Sequence, residues 1–186
     1  TIGPDPVLMT RDKDGQIHLL HNRCPHRGNQ VCEKPRGNQK SFTCNYHGWN
    51  FGIDGALRGY PFPSGYEGDK RKELGLGKVA RVGIYKGFVF GSMAAEGPTL
   101  EEHLGGARAA IDALCSNSPE GEVEVTAGFL QHKVMANWKF VMENETDGYH
   151  PGFVHASIFD VADSQIGALY ADTSSAVTRY FGNGHS

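Results

Sequence analysis

Residues 22–28 read NRCPHRG and residues 44–49 read CNYHGW, so two short segments each set a thiol beside an imidazole. Cys24 and His26 flank one residue, Cys44 and His47 flank two, and the whole pattern is C-x-H-x17-C-x2-H. Two thiolates and two imidazoles brought together by two loops suit a soft or borderline metal. Either Zn2+ or a [2Fe–2S] cluster with Cys on one iron and His on the other satisfies them. Spacing alone leaves both open. Three local features favour iron–sulfur: strand-like segments flank both loops, Gly28 and Gly48 follow the histidines closely, and Tyr46 and Trp49 can shield a cluster. A zinc finger would carry its histidines along a helix, and no helical pattern surrounds these.

Outward from the two loops, residues 7–91 are rich in β-formers and glycine. VLMT, the turn DKDG, QIHLLH, KSFTC, WNFGIDGAL and VGIYKGFVFGS read as short strands with tight connections. PTLEEHLGGARAAIDALC then predicts a helix, with Thr99 and Glu102 as a capping box and Gly105 and Gly106 weakening it. SNSPEGE, residues 116–122, has the composition of a linker, and VEVTAGFLQHKVMA after it reads as a strand. Asn137 can cap a further helix running through WKFVMENETDGYH, with Trp138 as its core anchor. The fold class expected is α+β, an all-β domain followed by a mixed one.

Composition narrows the partners. Lys and Arg number 18 against 21 Asp and Glu, a formal net charge of −3, so no basic field exists to attract nucleic acid or an anionic membrane. The best apolar stretch, VGIYKGFVFG, is broken by Lys86 and three glycines, far short of a bilayer span. Two of the four cysteines are tied to histidines, which argues against a secreted disulfide framework and for a reducing cytoplasm. Cys32 and Cys115 have no histidine at matching distance and read as small buried hydrophobes. His18, His21, His103, His132 and His185 read as surface or satisfied histidines. The first residues hold neither an initiator Met nor a signal sequence, so the chain is expected to be clipped there.

A second metal signal lies in ENETDGYHPGFVH, residues 143–155, which sets Asp147, His150 and His155 within nine positions. One carboxylate and two imidazoles form a ligand set for non-haem Fe(II). At about 100° per residue, His150 and His155 on an ideal α-helix point about 140° apart, too far for one metal. Pro151 and Gly152 provide a break, and a π-like turn of roughly 4.4 residues would bring the rings within about 50°.

CPHRG and CNYHGW together resemble the two ligand loops of a Rieske iron–sulfur domain. The resemblance implies that Cys24 and Cys44 hold one iron of a [2Fe–2S] cluster, and His26 and His47 the other. Respiratory-type members carry a second cysteine in each loop, at places that here look like Asn29 and Tyr46, so their disulfide cannot form. Fewer hydrogen bonds around a Rieske cluster lower its potential, within a family range of about −150 to +300 mV, and a low-potential cluster is expected.

Taken with Asn137-Trp138-Lys139, Glu143-Asn144 and the D-x2-H-x4-H run from Asp147, the chain resembles the large (α) subunit of Rieske-type aromatic-ring-hydroxylating oxygenases. The resemblance implies a Rieske domain over residues 1–95 and the start of a helix-grip catalytic domain with an antiparallel sheet over 96–186. It implies mononuclear Fe(II) on His150 and His155, and Asp147 as the electron bridge to a Rieske histidine of a neighbouring subunit. The third iron ligand would be a carboxylate beyond the last residue, since Asp160, Asp163 and Asp172 lie too near the histidines. An NAD(P)H-dependent reductase, with or without a ferredoxin, would supply electrons. The assembly would be a homo-oligomer, commonly a trimer, with or without β subunits, acting on an aromatic substrate with O2. The short spacing from Asn144 to Asp147 resembles the benzoate and anthranilate type and leans towards an aromatic acid. The rival reading, a Rieske ferredoxin-type electron carrier, would explain residues 1–91 alone.

Overall fold

The computed structural model describes residues 1–124, 132–159 and 179–185. It divides into two compact units, Thr1–Leu100 and Glu101–Ser186.

The first unit is built from three small antiparallel sheets. Strands β1 (Val7–Arg11) and β2 (Ile17–His21) form a hairpin. Its turn is organised by Asp12, whose Oδ1 accepts from the amides of Asp14 at 3.0 Å and Gln16 at 2.8 Å. Strands β3 (Ser41–Thr43), β4 (Asn50–Gly52) and β5 (Leu57–Gly59) form the second sheet, and β6 (Arg81–Tyr85) with β7 (Phe88–Ser92) the third. All but β5 fall within segments read as strands or extend one residue beyond them; β5 overlaps WNFGIDGAL only at Leu57. A 3-10 turn at Pro63–Gly65 and the one-turn helix α1 (Lys70–Glu73), both unexpected, follow β5.

Residues 75–79 hold the first two sheets together. The amide of His21 donates to Gly77 O at 2.7 Å and that of Val79 to Leu19 O at 2.9 Å, while Leu76 N reaches Gly55 O at 2.8 Å. Leu76 and Val79 are buried, which gives this polar-backbone bridge its apolar filling. The core beneath comprises Leu20 and Phe51, both at 0 % exposure, with Val31, Phe42, Trp49, Leu57 and Leu76. Phe42 and Phe51 are cross-strand partners, so their side chains project from the same face. Cys24 and Cys44 belong to this same cluster, which buries both thiols in the core. Arg81 donates to Ala94 O at 2.9 Å and Leu100 packs over Gly83, so the segment after β7 folds back onto its sheet.

The second unit, as far as it is described, is helical. Helices α2 (Leu100–Leu104), whose first residue closes the first unit, and α3 (Arg108–Ser116) replace the single helix expected here. A 3-10 turn at Gly105–Ala107 separates them. Gly105 has φ +48°, which no right-handed helix accommodates, and a Cβ on Gly106 would come within 3.0 Å of Phe181. Cys115 is buried as expected, whereas Cys32 is only half-buried at the core's margin.

Helix α4 (Trp138–Thr146) starts where Asn137 predicts, its side chain accepting from Lys139 N at 3.1 Å. It ends earlier than the sequence suggests. Thr146 Oγ1 donates back to Met142 O and Glu143 O, both at 3.1 Å, and Asp147 leaves helical geometry to accept from Tyr149 N at 2.7 Å. Trp138 is 69 % exposed, so it does not anchor a core among the described residues. Helices α5 (Pro151–Val154) and α6 (Ala156–Phe159) follow. Residues 125–131 of the strand expected over 123–136, and Asp160, Asp163 and Asp172, lie outside the described residues, and the described residues 123–124 and 132–136 form no strand. Among those described, no helix is long and apolar enough to cross a membrane.

Candidate functional site

The two Cys/His loops share one backbone design. In the first, Cys24 N donates to Asn29 O at 2.8 Å and Gly28 N to Cys24 O at 2.9 Å; in the second, Cys44 N donates to Trp49 O at 2.8 Å and Gly48 N to Cys44 O at 2.9 Å. Each loop therefore closes on its cysteine through a glycine at positive φ, +74° at Gly28 and +72° at Gly48. Only glycine adopts that region freely, which accounts for a glycine following each histidine. Asn22, which the sequence reading passed over, steadies the first loop from behind. Buried, it accepts from Val31 N at 3.1 Å and Cys32 N at 3.0 Å, and donates to Cys32 O at 2.7 Å.

The loops bring like with like. The side chains of Cys24 and Cys44 lie close enough to influence each other's ionisation, and the rings of His26 and His47 stand 4.5 Å apart between centroids. Among the described residues, no three His, Cys, Asp or Glu side chains converge to hold one ion. Two thiols in one pair and two imidazoles in another suit a two-iron group, each iron taking two protein ligands, better than a single tetrahedral zinc.

His26 provides the test of fit. Its Nδ1 is buried and has no hydrogen-bond partner. A buried polar atom left unpaired is costly, and a lone pair facing a metal removes that cost. Burial, then the nearby charges of His47 and Arg27, hold the His26 pKa below its ordinary value and favour the neutral ligating form. Burial pushes the Cys24 thiol up. At Cys44 burial acts the same way, but the amides of Tyr46 and His47 outweigh it and draw the thiol below its ordinary value. Trp49, 2 % exposed, stacks parallel on the His26 ring at 5.0 Å. Tyr46 lies 3.9 Å from the His47 ring but is itself 62 % exposed, so of the two aromatics expected to shield the site only Trp49 is buried.

In the second unit, Asp147 Oδ2 lies 3.1 Å from His150 Nδ1, and the rings of His150 and His155 are 5.3 Å apart. The π-like turn expected here is absent. The amides of Val154 and His155 donate four residues back, to His150 O at 2.9 Å and Pro151 O at 3.1 Å, as in an α-helix. The rings meet because the helix is only one turn long: His155, with φ −99° and ψ 14°, has already left it. The amide of Tyr149, then His150, hold the Asp147 carboxyl below the usual range, so it is ionised and accepts from His150. Nδ1–H on His150 leaves Nε2 with a lone pair for a metal. The donor set fits two of the three protein ligands of a non-haem iron.

Of the remaining histidines, His18 Nε2 bonds Asp12 Oδ2 at 2.9 Å, and His185 Nε2 bonds His103 O at 3.0 Å, as satisfied side chains should.

Comparison with known proteins agrees with this division. Residues 1–77 match the Rieske [2Fe-2S] domain family, and residues 110–181 match the ring hydroxylating alpha subunit (catalytic domain) family. The chain is 39 % identical over 160 residues to the 2-halobenzoate 1,2-dioxygenase large subunit of Burkholderia cepacia, a match covering 83 % of this chain and 34 % of that protein. It is 40 % identical over 159 residues to the biphenyl dioxygenase subunit alpha of Paraburkholderia xenovorans (strain LB400), covering 81 % and 34 %. Among solved structures, naphthalene 1,2-dioxygenase with indole bound in the active site superposes with a TM-score of 0.77 at 34 % identity, covering 93 % of this chain and 39 % of the other. The chain thus spans about a third of the length of the relatives it matches. It belongs to the large, or α, subunits of the Rieske-type aromatic-ring-hydroxylating oxygenases, whose Rieske [2Fe–2S] domain it carries together with part of their catalytic domain.

Proposed function

We propose that this protein is the terminal oxygenase component of a multicomponent system that inserts O2 into an aromatic substrate, by cis-dihydroxylation of the ring, with monooxygenation as the other outcome open to the same site. Residues 1–95 serve as its electron-receiving domain and 96–186 begin its catalytic domain. Cys24 and Cys44 hold one iron of the cluster, His26 and His47 the other, and His150 and His155 hold the mononuclear Fe(II). When bound, these groups supply single electrons and open coordination positions for O2. Asp147 orients His150 by accepting from its Nδ1, and carries the path from the Rieske histidine of a neighbouring subunit. Electrons come from an NAD(P)H-dependent reductase, directly or through a ferredoxin. The working form is a homo-oligomer of α subunits, a trimer, with or without β subunits.

The observation that carries this reading is the Asp147–His150 bond of 3.1 Å beside His155, on the chain that also pairs Cys24 with Cys44 and His26 with His47. An electron carrier has no use for the second constellation, and the catalytic-domain match over residues 110–181 has no place in one. The relatives compared act, by name, on halobenzoate, biphenyl and naphthalene at similar identity. The lean towards an aromatic acid therefore rests on the Asn144–Asp147 spacing.

Low-temperature EPR of the dithionite-reduced protein, with iron, zinc and acid-labile sulfide assayed on the same sample, tests the first half. A rhombic signal of low average g with sulfide present is expected; zinc without sulfide would overturn the reading. Turnover of benzoate-type and unsubstituted aromatic substrates by the full-length subunit with a reductase and NAD(P)H tests the second half, with a cis-diol product expected; the 186-residue chain alone, without the third iron ligand, is expected to be inactive.

A further inference from the structure

Asn29 follows Gly28 in the first ligand loop and touches both cysteines. Its backbone carbonyl accepts from Cys24 N at 2.8 Å. Its side-chain Nδ2 lies 3.8 Å from Cys44 Sγ, within reach of a sulfur acceptor, 2.7 Å from Asn45 Oδ1 and 2.9 Å from Gln30 O. Asn45 sits in the second loop directly after Cys44, so the Asn29–Asn45 bond links the two loops through side chains.

The two sulfurs are otherwise treated alike. Cys24 receives the amides of His26 and Arg27, and Cys44 the corresponding amides of Tyr46 and His47. Cys44 also gains a side-chain donor, Asn29. An N–H aimed at a ligating sulfur draws electron density from the metal and stabilises the reduced state, which carries one more negative charge. A carboxamide nitrogen can only donate. Its two protons serve three acceptors, Asn45 Oδ1, Gln30 O and the more distant Cys44 Sγ, so the sulfur shares a proton with one of the oxygens.

We propose that Asn29 is a positioning residue for electron transfer: clasped by Asn45, it ties the two ligand loops together and raises the cluster's reduction potential through Cys44 Sγ. This rests on the reading that Cys24, His26, Cys44 and His47 hold a [2Fe–2S] cluster. The step it adjusts is addition of one electron to that cluster, with no bond made or broken.

The test uses the cluster-loaded protein as wild type, Asn29→Leu, Asn29→Asp and Asn45→Ala. Each is reduced stepwise with dithionite and mediators, the EPR amplitude gives the midpoint, and sulfide is counted per chain. Asn29→Leu, similar in size but without a donor, should lower the one-electron reduction constant on the order of tenfold, a fall of about 59 mV. Asn29→Asp should fall further, because it sets a negative charge beside the sulfur. Asn45→Ala frees the donor without removing it, and should shift the midpoint down less while speeding iron loss to a chelator. An unchanged midpoint in both Asn29 variants at full sulfide content overturns the proposal. If neither Asn29 variant takes up a cluster, Asn45→Ala decides: a lowered midpoint supports the proposal and an unchanged one overturns it. A wild type without sulfide or EPR signal overturns instead the cluster reading on which the proposal rests.

Discussion

His26 and Trp49 lie with their rings parallel to within 1° and 5.0 Å between centroids, so one face of the His26 imidazole rests on a side chain of the core. Trp49 in turn meets Phe51, Tyr60 and Tyr66 at 5.7 to 6.5 Å. The orientation of His26 is thereby set by the same packing that holds the first unit together.

Removing that support should cost both stability and the site. Trp49→Ala is expected to lower unfolding free energy by about 3–5 kcal/mol, the usual range for deleting a buried aromatic. Trp49→Phe keeps a ring against His26 and should lose less. Urea unfolding of the two variants, with iron content measured alongside, checks the order.

The matched loops predict matched penalties. A Cβ on Gly48 would lie 3.4 Å from Pro61 Cγ, an ordinary contact, and on Gly28 it would meet the flexible end of Arg23 at 3.2 Å. Sterics therefore add little, and positive φ governs. Gly28→Ala and Gly48→Ala should each destabilise by about 1–2 kcal/mol. A large difference between the two in thermal unfolding would show that the loops are not equivalent.

Asp69 gives the pH dependence a clear sign. Arg71 grips it with Nε at 2.9 Å and Nη2 at 2.8 Å, and Arg71 N adds a bond at 3.1 Å, which together hold its carboxyl down to about 2. A carboxyl depressed on folding stabilises above its unfolded value of about 3.9 and loses that contribution as pH falls towards its folded value. Wild type should therefore exceed Asp69→Asn in urea midpoint at pH 6, by a small margin because the pair is solvent-exposed. The gap should close between about pH 4 and pH 2.

Asp147→Asn keeps the size of the side chain but removes the charge that His150 Nδ1 binds. In the full-length subunit the variant should keep its cluster EPR signal and lose about 10–100-fold in turnover or in retention of the mononuclear iron. Loss of the cluster signal itself would mean that Asp147 acts on the first unit's folding instead.

Much of this protein was legible before any coordinates. The strands of the first unit follow from local alternation and turn chemistry, as at Asp12, whose carboxylate caps its own hairpin within four residues. The helix start at Asn137 is equally local. What failed was longer in reach. The helix expected through Gly105 breaks because of positive φ there and the approach of Phe181 to Gly106, from 75 positions away. Trp138 reads as a core anchor from its apolar neighbours, yet burial depends on what a fold sets against it, and it is 69 % exposed.

The candidate site divides along the same line. Sequence alone determined the donor types, the Cys/His spacing, the glycines that close each loop and the Asp147–His150–His155 run, because these depend on chemical identity and on residues a few positions apart. The folded chain brings Cys24 to Cys44 and His26 to His47, as the resemblance implied, and tertiary structure alone decided that His26 Nδ1 is buried without a partner and that Asn29 reaches across to Cys44 and Asn45. Those contacts join residues 15 to 21 positions apart in different loops, and their geometry is set by how the sheets pack around Leu20 and Phe51, a relation between surfaces that no local pattern encodes.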